Sequence, residues 1–196
     1  MNTMEKITIN KGKLLAAYRE ANEDQQVILE FLYGKETFQY DWREITSYEK
    51  ACEVLGIEQI EFKEFGDRPQ YMRMANAMQK ILVICEAING NGNWYDKNGY
   101  SYYPIFVFYT NEEIKDISEE QYKKLRIRRI SSLDHTNGDK IYGVGYDLFV
   151  SKFNTPYVDI DYGMQLCLNT REKAEFVGEQ FFELYCQCNG YNPQMH

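Results

Sequence analysis

Side chains suited to acid–base, metal or nucleophilic chemistry are sparse in this 196-residue chain. Only two histidines occur, His135 and His196, and the second is the final residue. A histidine-dependent base would therefore be His135, in Leu133-Asp134-His135-Thr136-Asn137-Gly138-Asp139, where Asp134, His135 and Asp139 are able to meet around a cation. That composition is also the composition of a turn, and a solvated loop accounts for the same residues. Asp159 and Asp161 stand two apart in an alternating segment, which puts both carboxylates on one strand face. Such a pair holds a divalent ion or serves as acid and base in a hydrolase. The same face is the expected wet one, so solvation explains the pair without catalysis. Cys186-Gln187-Cys188 offers half a zinc site or a redox pair, yet no second Cys or His pair is spaced to complete a tetrahedron. No G-x-x-x-x-G-K-S/T phosphate loop, G-x-S-x-G elbow or H-E-x-x-H helix is present. The residues thus assign no catalytic group, metal or cofactor, with a carboxylate- or metal-dependent hydrolase on Asp159 and Asp161 as an alternative.

Two segments suit binding better than catalysis. Trp94, Tyr95, Tyr100, Tyr102 and Tyr103 follow the run Asn89-Gly90-Asn91-Gly92-Asn93 and form the candidate recognition surface, because aromatics on a loop escape a periodic core face. The competing explanation is that these rings staple the loop to a sheet edge. Lys123, Lys124, Arg126, Arg128 and Arg129 are weak candidates for phosphate contacts. Against a nucleic-acid partner stand the net charge of −8 and the acidic Glu112, Glu113, Asp116, Glu119 and Glu120 just upstream, which favour a self-neutralising charged face. Acidic mimicry of DNA is a weaker option.

The elements that must position these groups are legible from their hydrophobic periods. Leu14, Leu15, Ala17, Tyr18 and Ala21 make one helical stripe, and Val27, Ile28, Phe31 and Leu32 make a second, with Asp24 as its cap and Gly34 as its stop. A third helix has capping-box spacing at Thr46-Ser47-Tyr48-Glu49, continues through Ala51, Cys52, Val54 and Leu55, and ends at Gly56. The central helix opens at Pro69 and runs to about Ile88, with Tyr71, Met74, Met78, Ile81, Leu82, Cys85 and Ile88 at three- and four-residue steps. Tyr102 to Tyr109 is an aromatic, β-branched strand whose Pro104 belongs at an edge or bulge. Glu112 to Leu125 suits a surface helix. Tyr142 to Val150 and Val158 to Leu168 alternate strictly, with Gly143, Gly145 and Asp147 on the wet face of the first, and the short link between them suits antiparallel pairing. A last helix begins at Asn169 and carries Ala174, Val177, Phe181, Leu184 and Tyr185.

Hydrophobic residues make up 44% and charged residues 27% of the chain, which excludes wholesale disorder and fibrous architectures. Tyrosine is over-represented, with 17 residues, and Tyr71, Tyr142, Tyr146, Tyr162 and Tyr185 fall on expected buried faces. The five cysteines are odd in number and sit largely within apolar patterns, so no disulfide framework is expected. No apolar run reaches bilayer length and no basic-then-apolar leader opens the chain, so a cytoplasmic protein without a membrane partner is expected. The class is α+β: N-terminal short helices and a central helix packed on an antiparallel sheet of about three to four strands, closed by a C-terminal helix. One domain, 1–196, is expected, with a helical part at about 10–90 and a sheet plus C-terminal helix at about 100–190.

Four segments, Ile45 to Ile57, Lys80 to Asn89, Trp94 with Tyr102-Tyr103-Pro104, and Gln165 to Tyr185, resemble in order an uncharacterised family encoded by phages, prophages and mobile elements of gut Bacteroidetes. The most specific is the last, with its Ala-Glu-x-x-Gly-x-Gln-Phe core, in which Val177 stands where an alanine is familiar. Ile105 stands where relatives carry a tryptophan after the proline. The resemblance implies a mobile-element protein at work in a bacterial cell, in its cytoplasm or in a virion, and supplies no activity. The expectation is a non-enzymatic accessory or binding protein acting through contacts with a host or phage protein.

Overall fold

The computed structural model describes residues 9–61, 69–90, 94–135, 140–152 and 166–193. Its elements in chain order are α1 (Lys11–Glu20), α2 (Glu23–Tyr33), two short 3-10 turns (Lys35–Phe38 and Trp42–Glu44), α3 (Tyr48–Leu55), α4 (Pro69–Asn89), β1 (Tyr100–Tyr109), α5 (Asn111–Asp116), α6 (Glu119–Lys124), β2 (Arg128–His135), β3 (Lys140–Lys152), α7 (Arg171–Gln180), α8 (Phe182–Cys188) and β4 (Tyr191–Pro193). Mixed helix and antiparallel strand makes the class α+β, as the periods imply.

Helices begin where a side-chain oxygen can take an orphan backbone N–H. Asn10, Asn22, Ser47, Thr110, Ser118 and Thr170 do this, and reciprocal boxes form at Asn22/Gln25, Thr110/Glu113 and Ser118/Gln121. Three expected caps move. Helix α2 opens at Asn22 rather than Asp24, because Gln25 returns a bond to the Asn22 N–H. Helix α3 is capped by Ser47 rather than Thr46. The last helix is capped by Thr170, while Asn169 Oδ1 is occupied by Lys173 Nζ (2.9 Å) and its N–H and Nδ2 donate to Asn89. That helix also breaks at Phe181 (φ −110°, ψ 26°) into α7 and α8, and the break keeps Val177, Phe181 and Tyr185 in one core. The charged stretch 112–125 is likewise two helices, each started by its own box.

The sheet runs β1-β3-β2-β4. Its long ladder is β1 against β3, antiparallel from Tyr100↔Lys152 to Tyr109↔Gly143. The N–H of Tyr102 points away from β3 to the carbonyl of Leu168 (2.9 Å), so the N–H that Pro104 lacks, two residues on, would also lie on the outer edge. Strand β2 pairs with β3 across a bulge between Arg129 and Leu133, and β4 pairs with β2 over three residues. The expected strands 102–109 and 142–150 are β1 and β3. Of the expected strand 158–168 only Leu166–Leu168 lies within the described residues, with Leu168 bridging Tyr102. Strand β2 corrects the loop expected at Leu133–His135: pairing with β3 and β4 overrides a turn-like composition.

Helix α7 lies on β1 and β3, α8 on β4, α4 on α8 and α3, and α1 on α3. The core joins Ile45, Tyr48, Ala51, Leu55, Ile81, Ile84, Cys85, Ile88, Leu168, Val177, Phe181 and Tyr185, with Phe106 and Leu148 of the sheet packed against them. Phe106 stacks on Tyr185 at 4.7 Å and meets Phe182 edge-on at 5.8 Å. Two burial expectations are corrected. Tyr71 and Met78 are exposed: Tyr71 precedes Ala77, where the buried residues of α4 begin, and Met78 stands outside the face that Ala77, Ile81, Ile84, Cys85 and Ile88 bury. Gly143 and Gly145 are buried rather than wet, because α5 and Ile127 lie over them: a Cβ at Gly143 would come within 2.7 Å of Ile114 Cδ1. Among the described residues no helix is long and apolar enough to cross a membrane.

Candidate functional site

Helix α2 carries the largest group of exposed apolar side chains found together on one described element. Its backbone is fixed at both ends, by the Asn22/Gln25 box and by Gly34 at φ 82°, whose N–H bonds back to the Glu30 carbonyl. Along its inner side two hydrogen bonds join it to α1: Tyr18 donates its hydroxyl to Glu30 at 2.5 Å, and Gln26 Nε2 donates to the Tyr18 carbonyl at 3.0 Å. Glu30 as acceptor pushes the Tyr18 phenol above its ordinary value. Tyr18 in turn stacks on Phe38 at 4.2 Å, and Arg19 ties α1 to the Val54 carbonyl of α3.

The outer side carries the apolar stripe read from the sequence, and it faces solvent. Phe31 is 88% exposed, Val27 65%, Leu32 61% and Ile28 58%, and no residue of α2 is buried. Beside Ile28 the small side chains Ala17 and Ala21 of α1 leave an open groove of about 440 Å³, lined also by Gln25 and Leu29. Glu20 borders the groove and Glu23 and Asp24 stand in the first turn of α2, and contiguous exposed apolar surface is in general where proteins meet partners.

The aromatic segment is divided by the fold. Tyr103 is 5% exposed and belongs to the core, which removes it from any surface. Tyr102 packs against the same core and Tyr100 opens the β1 ladder. Trp94 is half-buried and Tyr95 exposed. Between them and β1, Asp96 accepts from the N–H groups of Asn98 (2.8 Å) and Tyr100 (2.9 Å), and these bonds hold its carboxyl below its usual value. Trp94 and Tyr95 thus stand just before a braced turn.

The basic segment is divided too. Lys123 and Lys124 are exposed on α6. Arg126 reaches Glu175 (3.2 Å) and Glu179 (3.6 Å) of α7, so its carboxylate partners come from the far end of the chain rather than from the acidic residues just upstream. Arg128 lies over the Phe182 ring at 5.1 Å. Arg129 is in β2, where its backbone pairs with Gly143. Asp159 and Asp161 lie outside the described residues, as do Asp139 and His196, and His135 ends β2.

The groups that titrate abnormally do structural work. Asp41, Glu49 and Glu113 are held below their usual range chiefly by backbone N–H groups at helix and turn starts. Burial pushes the thiols of Cys85 and Cys186 up to about 12 and those of Cys167 and Cys188 to about 11, so they remain protonated and poorly nucleophilic near neutrality. Lys173, lowered by burial, donates to Asn169 Oδ1 (2.9 Å) and the Asn89 carbonyl (3.5 Å). Asn89 also donates to the Cys167 carbonyl (2.7 Å), which bolts the end of α4 to the start of α7. Among the described residues no three His, Cys, Asp or Glu side chains converge as metal ligands. Compared with family models, curated proteins and solved structures, the chain matches none.

Proposed function

We propose that this is a non-enzymatic accessory protein that acts through protein–protein contacts, with α2 as its principal contact surface. The exposed stripe Val27, Ile28, Phe31 and Leu32 carries this reading, because large apolar side chains on a capped helix beside a groove are what a partner protein can bury. Trp94 and Tyr95 supply a second, smaller aromatic contact. The resemblance to phage and prophage proteins of gut Bacteroidetes supports a mobile-element role in the cytoplasm of a bacterial host.

The basic segment favours a nucleic-acid partner less, since Arg126 is paired with two carboxylates of its own chain. A hydrolase built on Asp159 and Asp161 gains no support from the perturbed carboxylates, which serve caps and turns. The test is capture of host or phage proteins, or of a tagged second copy of the chain, on immobilised protein, beside Val27→Asp/Phe31→Asp and Trp94→Ala/Tyr95→Ala variants of unchanged far-UV circular dichroism. The expected result is loss of the captured protein with the first pair and a weaker loss with the second. Identical capture by wild type and both variants rejects the proposal.

A further inference from the structure

The face of α2 is self-complementary. We infer that its occupant is a second copy of this chain, docked with the two α2 helices antiparallel about a two-fold axis. The inference rests on α2 being a protein-binding surface and names the partner.

An isologous pair needs each residue on the patch to meet a suitable mate on the same patch of the other copy. Antiparallel α2 helices with the axis between Leu29 and Glu30 set Ile28 opposite Phe31 and Val27 opposite Leu32. Lys35, exposed, follows Gly34 outside the helix, and the antiparallel arrangement sets the acidic first turn of one copy, with Asp24, beside that end of the other. Opposed helix dipoles add to that match of charge. The groove supplies the matching shape. Phe31 is the most exposed large hydrophobic side chain among the described residues, at 88%, and across the axis from it stands Ile28, whose flank is the groove floored by Ala17 and Ala21. One copy thus carries both the projecting ring and the recess for it, and the two-fold axis fills both recesses at once.

The area suffices. Val27, Ile28, Phe31 and Leu32 together offer on the order of 500 Å² of surface per copy, and two copies reach the roughly 1,000 Å² at which specific interfaces begin. That size fits a reversible dimer of modest affinity rather than an obligate one.

The test is sedimentation equilibrium of the full chain from low to high micromolar concentration, with far-UV circular dichroism as the check on folding. Wild type is expected to show a reversible monomer–dimer equilibrium, and Phe31→Asp to weaken it about 100-fold by placing a charge in the recess. Asp24→Lys is expected to weaken it about tenfold, and Lys35→Asp added to Asp24→Lys to restore it, a reversal that only a pairing of Asp24 with Lys35 across the axis explains. Wild type that stays monomeric overturns the inference, as does a dimer that Phe31→Asp leaves intact or a double reversal without recovery. A monomer whose capture of another protein depends on Phe31 overturns only the identity of the partner. A monomer whose captures ignore Phe31 overturns the binding role of α2 as well.

Discussion

Helices α2 and α3 are both short, both opened by a polar cap and both closed by a glycine at positive φ, Gly34 at 82° and Gly56 at 70°. Helix α3 buries Tyr48, Ala51, Cys52, Val54 and Leu55, whereas α2 buries nothing. The apolar residues of α3 include the small Ala51 and Cys52, which let α4 come close, and Tyr48 finds polar partners at its hydroxyl in the Ile60 N–H (3.0 Å) and Gln79 Nε2 (3.0 Å). Those of α2 are large, branched or aromatic, and among the described residues α2 rests on Tyr18 and the groove of α1 and on the turn Lys35–Phe38, where Thr37 Oγ1 donates to the Tyr33 carbonyl (2.6 Å). Equal periodicity therefore leads to unequal burial. A helix of eleven residues is marginal in water on caps alone, so α2 stands to gain from cover that α3 already has.

The contrast can be broken hardest in the core that α3 joins. Ile84→Ala removes a fully buried side chain behind α3 and is expected to cost about 2–5 kcal/mol in urea unfolding. Gly56→Ala comes next. Its Cβ would meet the Gly12 carbonyl at 2.5 Å in a left-handed conformation, and about 1–3 kcal/mol is expected to be lost by the same measurement.

Alkaline pH probes the same body. Cys85, Cys167, Cys186 and Cys188 have native values of about 11 to 12 against an ordinary 9.0, so the unfolded chain releases protons that the native one keeps. The stability these groups confer is whole below pH 9 and is lost as pH rises toward 11 to 12. At one unit above 9 each thiol accounts for about 1 kcal/mol, so the urea midpoint is expected to fall clearly between pH 8 and pH 10. Changing all four thiols to alanine in a chain that still folds should flatten that fall.

Smaller effects belong to α2. Asn22→Ala removes the cap and one half of its box, and is expected to cost about 1 kcal/mol of helix stability, read as faster amide exchange at 23–33 with α3 unaffected. Phe31→Asp is the smallest. At concentrations too low for association it should leave the unfolding free energy within about 0.5 kcal/mol of wild type, because the ring touches little in its own chain.

The comparison also shows which features a sequence carries. The stripes at Val27 to Leu32 and Ala51 to Leu55 locate both helices, as Pro69 to Ile88 locates α4, because a 3.6-residue period reports which side of a helix is apolar. It does not report whether a wall faces that side, so the exposure of Phe31 was not legible. Strand β2 was hidden for a related reason: Arg128 to His135 is polar and charged, and it becomes a strand through pairing with β3 and β4. Thr110 with Glu113 and Ser118 with Gln121 did carry the signal for two helices within the charged stretch. The aromatic segment misled in part, since strand alternation turns Tyr103 into the core while the neighbouring loop keeps Tyr95 outside.

Amide hydrogen exchange followed as a function of protein concentration tests most directly whether α2 is a contact surface left uncovered in the single chain. Exchange at 23–33 should slow as concentration rises, while exchange at 48–55, already sealed by α4, stays constant. Equal, concentration-independent protection of both helices would contradict it.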